Sequence, residues 1–531
     1  MSGSARLAAA CPNEDAAQAA RRIGLEGGNA VDAAVAAMLV VSVNEPGMVS
    51  LAGGAFITVD PGDGRAPVTI DGYVEMPGRG LPPDAFGRGL REIYTDYGGG
   101  THMTIGHGSV ATPGVLPALE VAQGQFGALP WPVVVEPSIE VARKGFALSA
   151  AVDYFLSHTR EDLYGHDPAT RAALHHADGS PVRRGQTLHI PDLADFLERV
   201  AREGSSALMR GDVAQVLAEE MAAHGGLITL ADLEAYRPAV RPATLIEVGP
   251  AHRRWHLATN PPPAIGGPVL AALLLLLGEG PAAAGTVPVG GAADLAWVIG
   301  VVRSVLAHRR GVLDVAPDRA AAAQALLDGV LAGGQAWRGR SPSTAHVSTV
   351  DAAGAACAIT ASTGYGSGIT IPGTGVWLNN CLGEHELNLT GVHSLAPGVR
   401  LASNMAPTVG RRDDGAWMAI GSPGADRITT ALAQVIGAAA FGGCDWDHAV
   451  SRPRLHISAP GVGTEQLEYE QDLGIEAMDA EGLLPSPSEL PRRAHPPSSM
   501  YFGGVGVAVH ESGGWVHAVA DPRRGGAIAV L

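Results

Sequence analysis

The chain has 531 residues, with 53 Asp+Glu against 36 Lys+Arg and a net charge of −17. That balance excludes a non-specific nucleic-acid binder, which needs a basic face to release counterions, and an electrostatic membrane anchor. With 46% apolar and only 17% charged residues the chain can bury a large core, as several ordinary domains or one large layered one.

The segment Met1–Pro12 holds too short an apolar stretch for a secretory signal, so the expected location is the cytoplasm. The spacing of Ala16, Ala19, Ala20, Ile23 and Leu25 predicts a helix, broken by Gly27-Gly28. Asn29 or Asp32 can start the next helix, which runs to Val43. Ala55–Asp60 and Val68–Asp71 read as strands of a hairpin. Residues 115–245 read as mostly helical, with a cap at Thr229-x-x-Asp232. Pro261-Pro262-Pro263 cannot be helix interior and leads into an apolar helix, Val269–Leu277. Residues 318–333 form an Ala/Leu helix. The longest apolar runs, Ala33–Val43 and Val269–Leu277, are too short for a bilayer, which takes about 20 residues. The character changes near residue 340. After the polar stretch Arg338–Ser343, the segments Ala345–Val350, Ala356–Ser362, Gly375–Leu378, Trp417–Ile420, Val505–His510 and Val516–Val519 read as strands, and Asp426–Ala440 as a helix. The proline-rich segment 476–498 reads as a surface loop or linker.

Several chemistries are absent. Lys144 is the only lysine; Gly145 follows it and no Ser stands three residues before it, so neither a P-loop nor an S-x-x-K pair exists. There is no G-x-S-x-G, no H-E-x-x-H and no strand-bound G-x-G-x-x-G. His175-His176 and His102/His107 lack metal-ligand context, and no metal or cofactor is expected. Cys11, Cys357, Cys381 and Cys444 form no C-x-x-C, which fits a reducing compartment.

What remains is Ser343-Thr344-Ala345-His346, a hydroxyl residue at the mouth of a β-branched strand after a polar loop. A threonine made N-terminal by cleavage before it has its own α-amine as general base, with an ordinary pKa near 8 (~7.7–8.0), and needs no His or Lys. On this stretch alone an ordinary strand-start threonine is the simpler reading. Gly421-Ser422-Pro423-Gly424-Ala425-Asp426 lies between a strand and a helix, where backbone N–H groups can point at an oxyanion; a plain tight turn fits as well. Gly364–Gly368 and Leu378–Glu384 offer flexible backbone and polar groups near the same sheet.

These blocks, together with Glu26–Ala36, Leu51–Phe56, Val110–Gly114, Gly225–Thr229, Asp232–Tyr236, Ser403–Thr408, Phe502–Val505 and Asp521–Gly526, occur in an order that resembles the γ-glutamyltranspeptidases, N-terminal-nucleophile (Ntn) hydrolases, over nearly the whole chain. The resemblance implies one α/β fold, a four-layer αββα sandwich. It implies a precursor cut between Ser343 and Thr344 into a helix-rich large subunit, 1–343, and a strand-rich small subunit, 344–531, that share one core. It implies that Thr344 attacks a carbonyl, that the amides of Gly424 and Ala425 bind the oxyanion, and that Ser362 supports the nucleophile. Ala425 replaces a family glycine, which keeps the N–H but restricts φ.

The departures fall on substrate recognition. Val74, beside Tyr73, occupies the place of the family's glutamate-binding arginine, so charge-assisted bonds worth about 1.5–3 kcal/mol each are missing. Cys381 replaces a glutamine, and an asparagine expected after Ser362 falls in a deletion. Glu384 matches the aspartate that holds the substrate amino group, Ser403 is retained, and Asn404 replaces a serine. The resemblance therefore implies a small-molecule hydrolase or acyltransferase with a non-standard acyl group. Two alternatives stand beside it: a C–C bond hydrolase of alkylproline antibiotic biosynthesis on the same scaffold, and a non-catalytic binding or scaffold homologue.

Overall fold

The computed structural model describes residues 6–97, 100–331, 344–461 and 464–531. Thirteen strands build two sheets: β1 (Leu7–Cys11), β2 (Gly54–Asp60), β3 (Val68–Gly72), β4 (Ala239–Pro242), β5 (Thr244–Val248), β6 (Trp255–Thr259), β7 (Ala345–Asp351), β8 (Ala356–Ser362), β9 (Thr408–Arg412), β10 (Trp417–Gly421), β11 (Gly506–His510), β12 (Val516–Ala520) and β13 (Ala527–Val530). The first sheet has the order β13-β1-β7-β8-β2-β3-β4 and the second β12-β11-β10-β9-β6-β5, with every neighbouring pair antiparallel.

The sheets lie face to face, with β7 against β10 and β11. Small side chains line much of the interface, among them Ala8, Ala10, Ala258, Ala356, Ala358, Ala419 and Ala508. Helices α1 (Glu14–Leu25), α2 (Ala30–Asn44) and α3 (Val115–Phe126) cover the first sheet; α4 (Gly266–Leu277) and α5 (Arg427–Ala440) cover the second. This is the expected αββα order. A strand between a sheet and a helix layer has no solvent face, so β7 and β8 are buried at every residue and read as continuous apolar and small runs. The caps are as the sequence predicts. Asn29 accepts from the amides of Val31 and Asp32 while Asp32 accepts from Asn29, and Thr229 and Asp232 make the same reciprocal box.

The N-terminal stretch contains β1, wedged between β13 and β7. Three expectations change. The span 115–245 is not helical to its end, since it holds β4 and the start of β5. Gly375–Leu378 is no strand; Trp377 and Leu378 make only isolated bridges, and Gly375 turns the chain at φ 68°. Segment 476–498 carries the end of a helix, Ile475–Ala480, and a strand, Arg492–His495, that pairs with Thr464–Glu470. Both sheets take strands from both sides of residue 340, so that position does not divide two cores. No helix among the described residues is long and apolar enough to cross a membrane.

Candidate active site

Thr344 stands at the head of β7 and is buried. The β7–β8 ladder pairs Ala345 with Ala361, and its next step brings Thr344 opposite Ser362. Side chains alternate along a strand, so Thr344, His346 and Ser348 share one face. That face looks across the sandwich: the His346 ring packs on Gly421, and the Ser348 hydroxyl donates to the Gly506 carbonyl at 3.1 Å. The opposite face, with Ala345, Val347 and Thr349, meets the helices, where the Thr349 hydroxyl donates to Ala30.

Two contacts align β10 over β7. Trp417 Nε1 donates to the Asp351 carbonyl at 3.2 Å, and four residues on, the Cα of Gly421 faces His346. Continued past the end of β10, this antiparallel alignment carries the turn Ser422–Ala425 over Thr344. The turn is tightly held. The Ser422 hydroxyl donates to the Pro423 carbonyl at 2.6 Å and accepts from the Gly504 amide at 3.2 Å. A Cβ on Gly424 would lie 2.6 Å from the Cα of Gly503. Gly424 takes φ 126° and Ala425 φ 66°, so the substituted position keeps the left-handed backbone a glycine would adopt freely. The carbonyls of Gly424 and Ala425 accept from Arg427 and Ile428 in the first turn of α5. Their own buried amides donate to no group among the described residues. Two adjacent buried N–H groups without acceptors are unusual and mark a place where an anionic oxygen fits.

Behind the turn, Asp426 meets Arg427 Nη1 at 2.8 Å and His456 Nε2 at 3.2 Å. Burial alone would raise its carboxyl, but His456 and Arg427 hold it well below the usual range. Burial lowers the His346 imidazole to about 3, so it is neutral; its nitrogens are engaged by Thr360 Oγ1 at 2.8 Å and Ser348 Oγ at 2.6 Å. His346 is thus a strut between the sheets and not a base for the nucleophile.

On the other side of Ser362 lies the recognition cluster. The Gly364 amide donates to Ser362 Oγ at 3.0 Å, and a Cβ on Gly364 would lie 3.0 Å from Glu384 Oε1, which puts the Glu384 carboxyl two residues from the nucleophile's partner. Asn379 and Asn380 fix this loop: Asn379 bonds both backbone groups of Ala111 and the Ala52 carbonyl, and Asn380 accepts from Tyr365. The Tyr73 phenol lies beside the Cys381 thiol and the Ser403 hydroxyl, and the thiol in turn lies beside Glu384. Glu384 is 1% exposed, and apart from the Cys381 thiol beside it neither of its oxygens has a hydrogen-bond partner among the described residues. Burial pushes its carboxyl well above the usual range, and Glu386 adds to the rise. Val74 is fully buried in an apolar cluster that includes Phe56, Tyr73, Met76 and Leu401, and the Phe56 and Tyr73 rings stack at 5.6 Å. Asn404 is buried, and neither end of its amide has a partner among the described residues.

The structure therefore gathers Thr344, Ser362, Gly424 and Ala425 at one end of the sandwich, with Tyr73, Cys381, Glu384 and Ser403 beside them. Asn404 follows Ser403 in the chain and Val74 follows Tyr73. Ser343 and the rest of 338–343 lie outside the described residues. Gly503 and Gly504, which brace the turn, carry no role in the sequence reading, and their signal was the glycine itself; Gly364, read there as flexible backbone near the sheet, lets Glu384 approach. His107 pairs not with His102 but with Glu220, at 3.0 Å, next to His224. The two rings stack at 4.5 Å, so their nitrogen lone pairs run side by side, and His224 Nδ1 already faces the Glu220 carbonyl of its own helix.

A family model described as gamma-glutamyltranspeptidase matches residues 16–531. The Acylase ACY 1 proenzyme of Pseudomonas sp. (strain V22) is 30% identical over 494 residues, covering 88% of this chain and 84% of its own length. The glutathione hydrolase proenzyme of Escherichia coli (strain K12) is 29% identical over 464 residues, covering 81% and 77%. The solved cephalosporin acylase from Bacillus halodurans superposes with a TM-score of 0.73 over 99% of this chain and 96% of its own, at 20% identity, a likeness of fold alone. The chain is a hydrolase/acyltransferase with the Ntn-hydrolase fold and belongs to the γ-glutamyltranspeptidase family.

Proposed function

We propose that the chain is an autoprocessing amidohydrolase or acyltransferase in which Thr344 is the nucleophile. Cleavage of the Ser343–Thr344 bond frees the threonine amine and yields the subunits 1–343 and 344–531. The amine takes the proton from Oγ, Oγ attacks the substrate carbonyl, and the oxyanion is received by the amides of Gly424 and Ala425. Collapse transfers the proton to the leaving group and leaves an acyl ester on Thr344, which water or an amine then takes up. Ser362, opposite Thr344, keeps the hydroxyl oriented. The observation that carries this reading is the pair of amides, without acceptors among the described residues, on the turn carried over Thr344. Glu384 supplies the site for a substrate amine, and the apolar surroundings of Val74 favour an acyl group other than glutamyl. The four cysteines are free, which supports a reducing, cytoplasmic setting.

Purified wild-type protein should resolve into two bands on a denaturing gel, and sequencing of the small band should begin Thr-Ala-His. A full-length band that persists on long incubation would overturn the reading in favour of a non-catalytic homologue. Cleavage of a ketone substrate, with anilides untouched, would favour the C–C bond hydrolase.

A further inference from the structure

The turn that aims the amides of Gly424 and Ala425 is itself held by a buried cluster of charges. A peptide group is planar and trans, so its N–H points away from its C=O. The Gly424 carbonyl accepts from the Arg427 amide at 3.0 Å, and the Ala425 carbonyl from the Ile428 amide at 3.3 Å. The first of these bonds turns the Gly424 carbonyl into α5, and with it the Ala425 N–H away from the helix. Asp426, at the head of α5, is a threat to this arrangement. An aspartate there ordinarily takes extended backbone, and its carboxylate accepts from the amides two and three residues ahead, here Ile428 and Thr429. That would take the Ile428 amide from Ala425 and swing the preceding peptide groups. Asp426 does neither: its φ is −69° and its ψ −19°, and its carboxylate makes no capping bond. The buried carboxylate instead meets Arg427 Nη1 at 2.8 Å and His456 Nε2 at 3.2 Å, with the guanidiniums of Arg309 and Arg310 near enough to act on its charge. His456 is fully buried on the strand Leu455–Gly461, and Thr430 Oγ1 lies 3.0 Å from its Nδ1, so the ring is held at both nitrogens.

We propose that His456 is a positioning residue for the oxyanion turn: it draws the Asp426 carboxylate off the first turn of α5 and so leaves the amides there to the carbonyls of Gly424 and Ala425, which fixes the direction of the Ala425 N–H. The inference rests on the reading of that N–H as an oxyanion donor. Arg427 adjoins Asp426 in the chain, whereas His456 reaches it from a separate strand and ties the turn to that strand.

Processed variants are compared on γ-glutamyl and glutaryl p-nitroanilide, with whichever the wild type cleaves faster. His456→Leu should lose kcat by at least about tenfold with KM within about twofold, a part of the roughly 100- to 1,000-fold lost with a whole oxyanion donor. His456→Gln, whose amide can still meet the carboxylate, should stay within about threefold of wild type. The double variant His456→Leu/Asp426→Ala should recover most of the lost kcat, because no carboxylate is left to divert the amides; a merely structural histidine gives a double variant as slow as the single one or slower. An unchanged kcat in His456→Leu, with or without a rise in KM, or a double variant no faster than His456→Leu, overturns the proposal. If the wild type cleaves neither anilide, the crystal structure of His456→Leu decides. An Asp426 carboxylate bonded to the Ile428 or Thr429 amide upholds the role of His456 and leaves the Thr344 reading to fall alone; a carboxylate in its wild-type place overturns the role. If His456→Leu does not fold, Thr430→Val, which releases only the Nδ1 side of the ring, takes its place in both measurements.

Discussion

Substituting Gly424 by alanine tests whether the turn above Thr344 holds its amides in place. The new methyl would lie 2.6 Å from the Cα of Gly503 and 3.2 Å from its nitrogen. Carbon atoms pack at about 3.5–4.0 Å, so roughly 1 Å of movement is required. No side chain can give way, because the atoms the new methyl meets on Gly503 are backbone. Overpacking costs about 1–3 kcal/mol. The positive φ adds about 1–3 kcal/mol more for an L-residue, a total of roughly 2–6 kcal/mol. The turn relieves that strain by moving, and the amides of 424 and 425 move with it. Loss of one oxyanion donor costs about 100- to 1,000-fold in kcat. Gly424→Ala should therefore unfold at lower denaturant and lose kcat on an anilide by at least about 100-fold, with KM little changed. Ala425→Gly is the control. It relieves about 1–2 kcal/mol of left-handed strain against about 0.5–1 kcal/mol of added chain freedom, so stability should hold or rise and activity persist. A Gly424→Ala protein with wild-type stability and turnover would refute the assignment of this turn as the oxyanion site.

Thr344→Ala should remain full length by intact mass and turn over no anilide, while Thr344→Ser should be processed and active at a reduced rate; a Thr344→Ala protein that still cleaves at this position would show that another group makes the cut. The folded His346 holds no proton until about pH 3, whereas an unfolded histidine gains one below about 6.5. Stability from this group is thus present above pH 6.5 and lost as pH falls toward 3, by about 5 kcal/mol in all, and denaturant titrations at pH 7 and 4 should show a steeper loss for wild type than for His346→Gln. Glu45 runs the other way: burial, opposed in part by the Asn13 hydrogen bond at 2.9 Å, raises its carboxyl to about 7. The unfolded chain ionises near 4.5, so stability falls by about 3 kcal/mol as pH rises from 4.5 to 7, and Glu45→Gln should recover that amount at pH 8; an unchanged midpoint would count against a raised Glu45.

The elements that the sequence makes legible are those whose signals are local. Asn29 and Thr229 announce their helices because a capping side chain reaches only three residues ahead. Ala356–Ser362 is recognisable end to end as a strand, since the turn residues that bound it are adjacent in the chain. Gly375–Leu378 misled because a short apolar run carries no record of whether a partner strand lies beside it. The stretch 239–248 failed in part for the same reason: β4 acquires its neighbour β3 from a distant part of the chain, although β5 pairs with β6 across a short loop.

By itself the sequence determined the threonine at a strand mouth and the glycine-rich turn before a helix, which are properties of residue type and spacing; the order of layers and the valine in place of an arginine at position 74 came from its resemblance to the γ-glutamyltranspeptidases. Only the tertiary structure decided that the turn after β10 is aligned over the head of β7, that the amides of Gly424 and Ala425 find no acceptor among the described residues, and that Glu384 is buried with no counter-charge among them. Each of these is a relation between groups far apart in the chain, created when two sheets close on a layer of small side chains, and no local pattern encodes what a distant neighbour leaves unpaired.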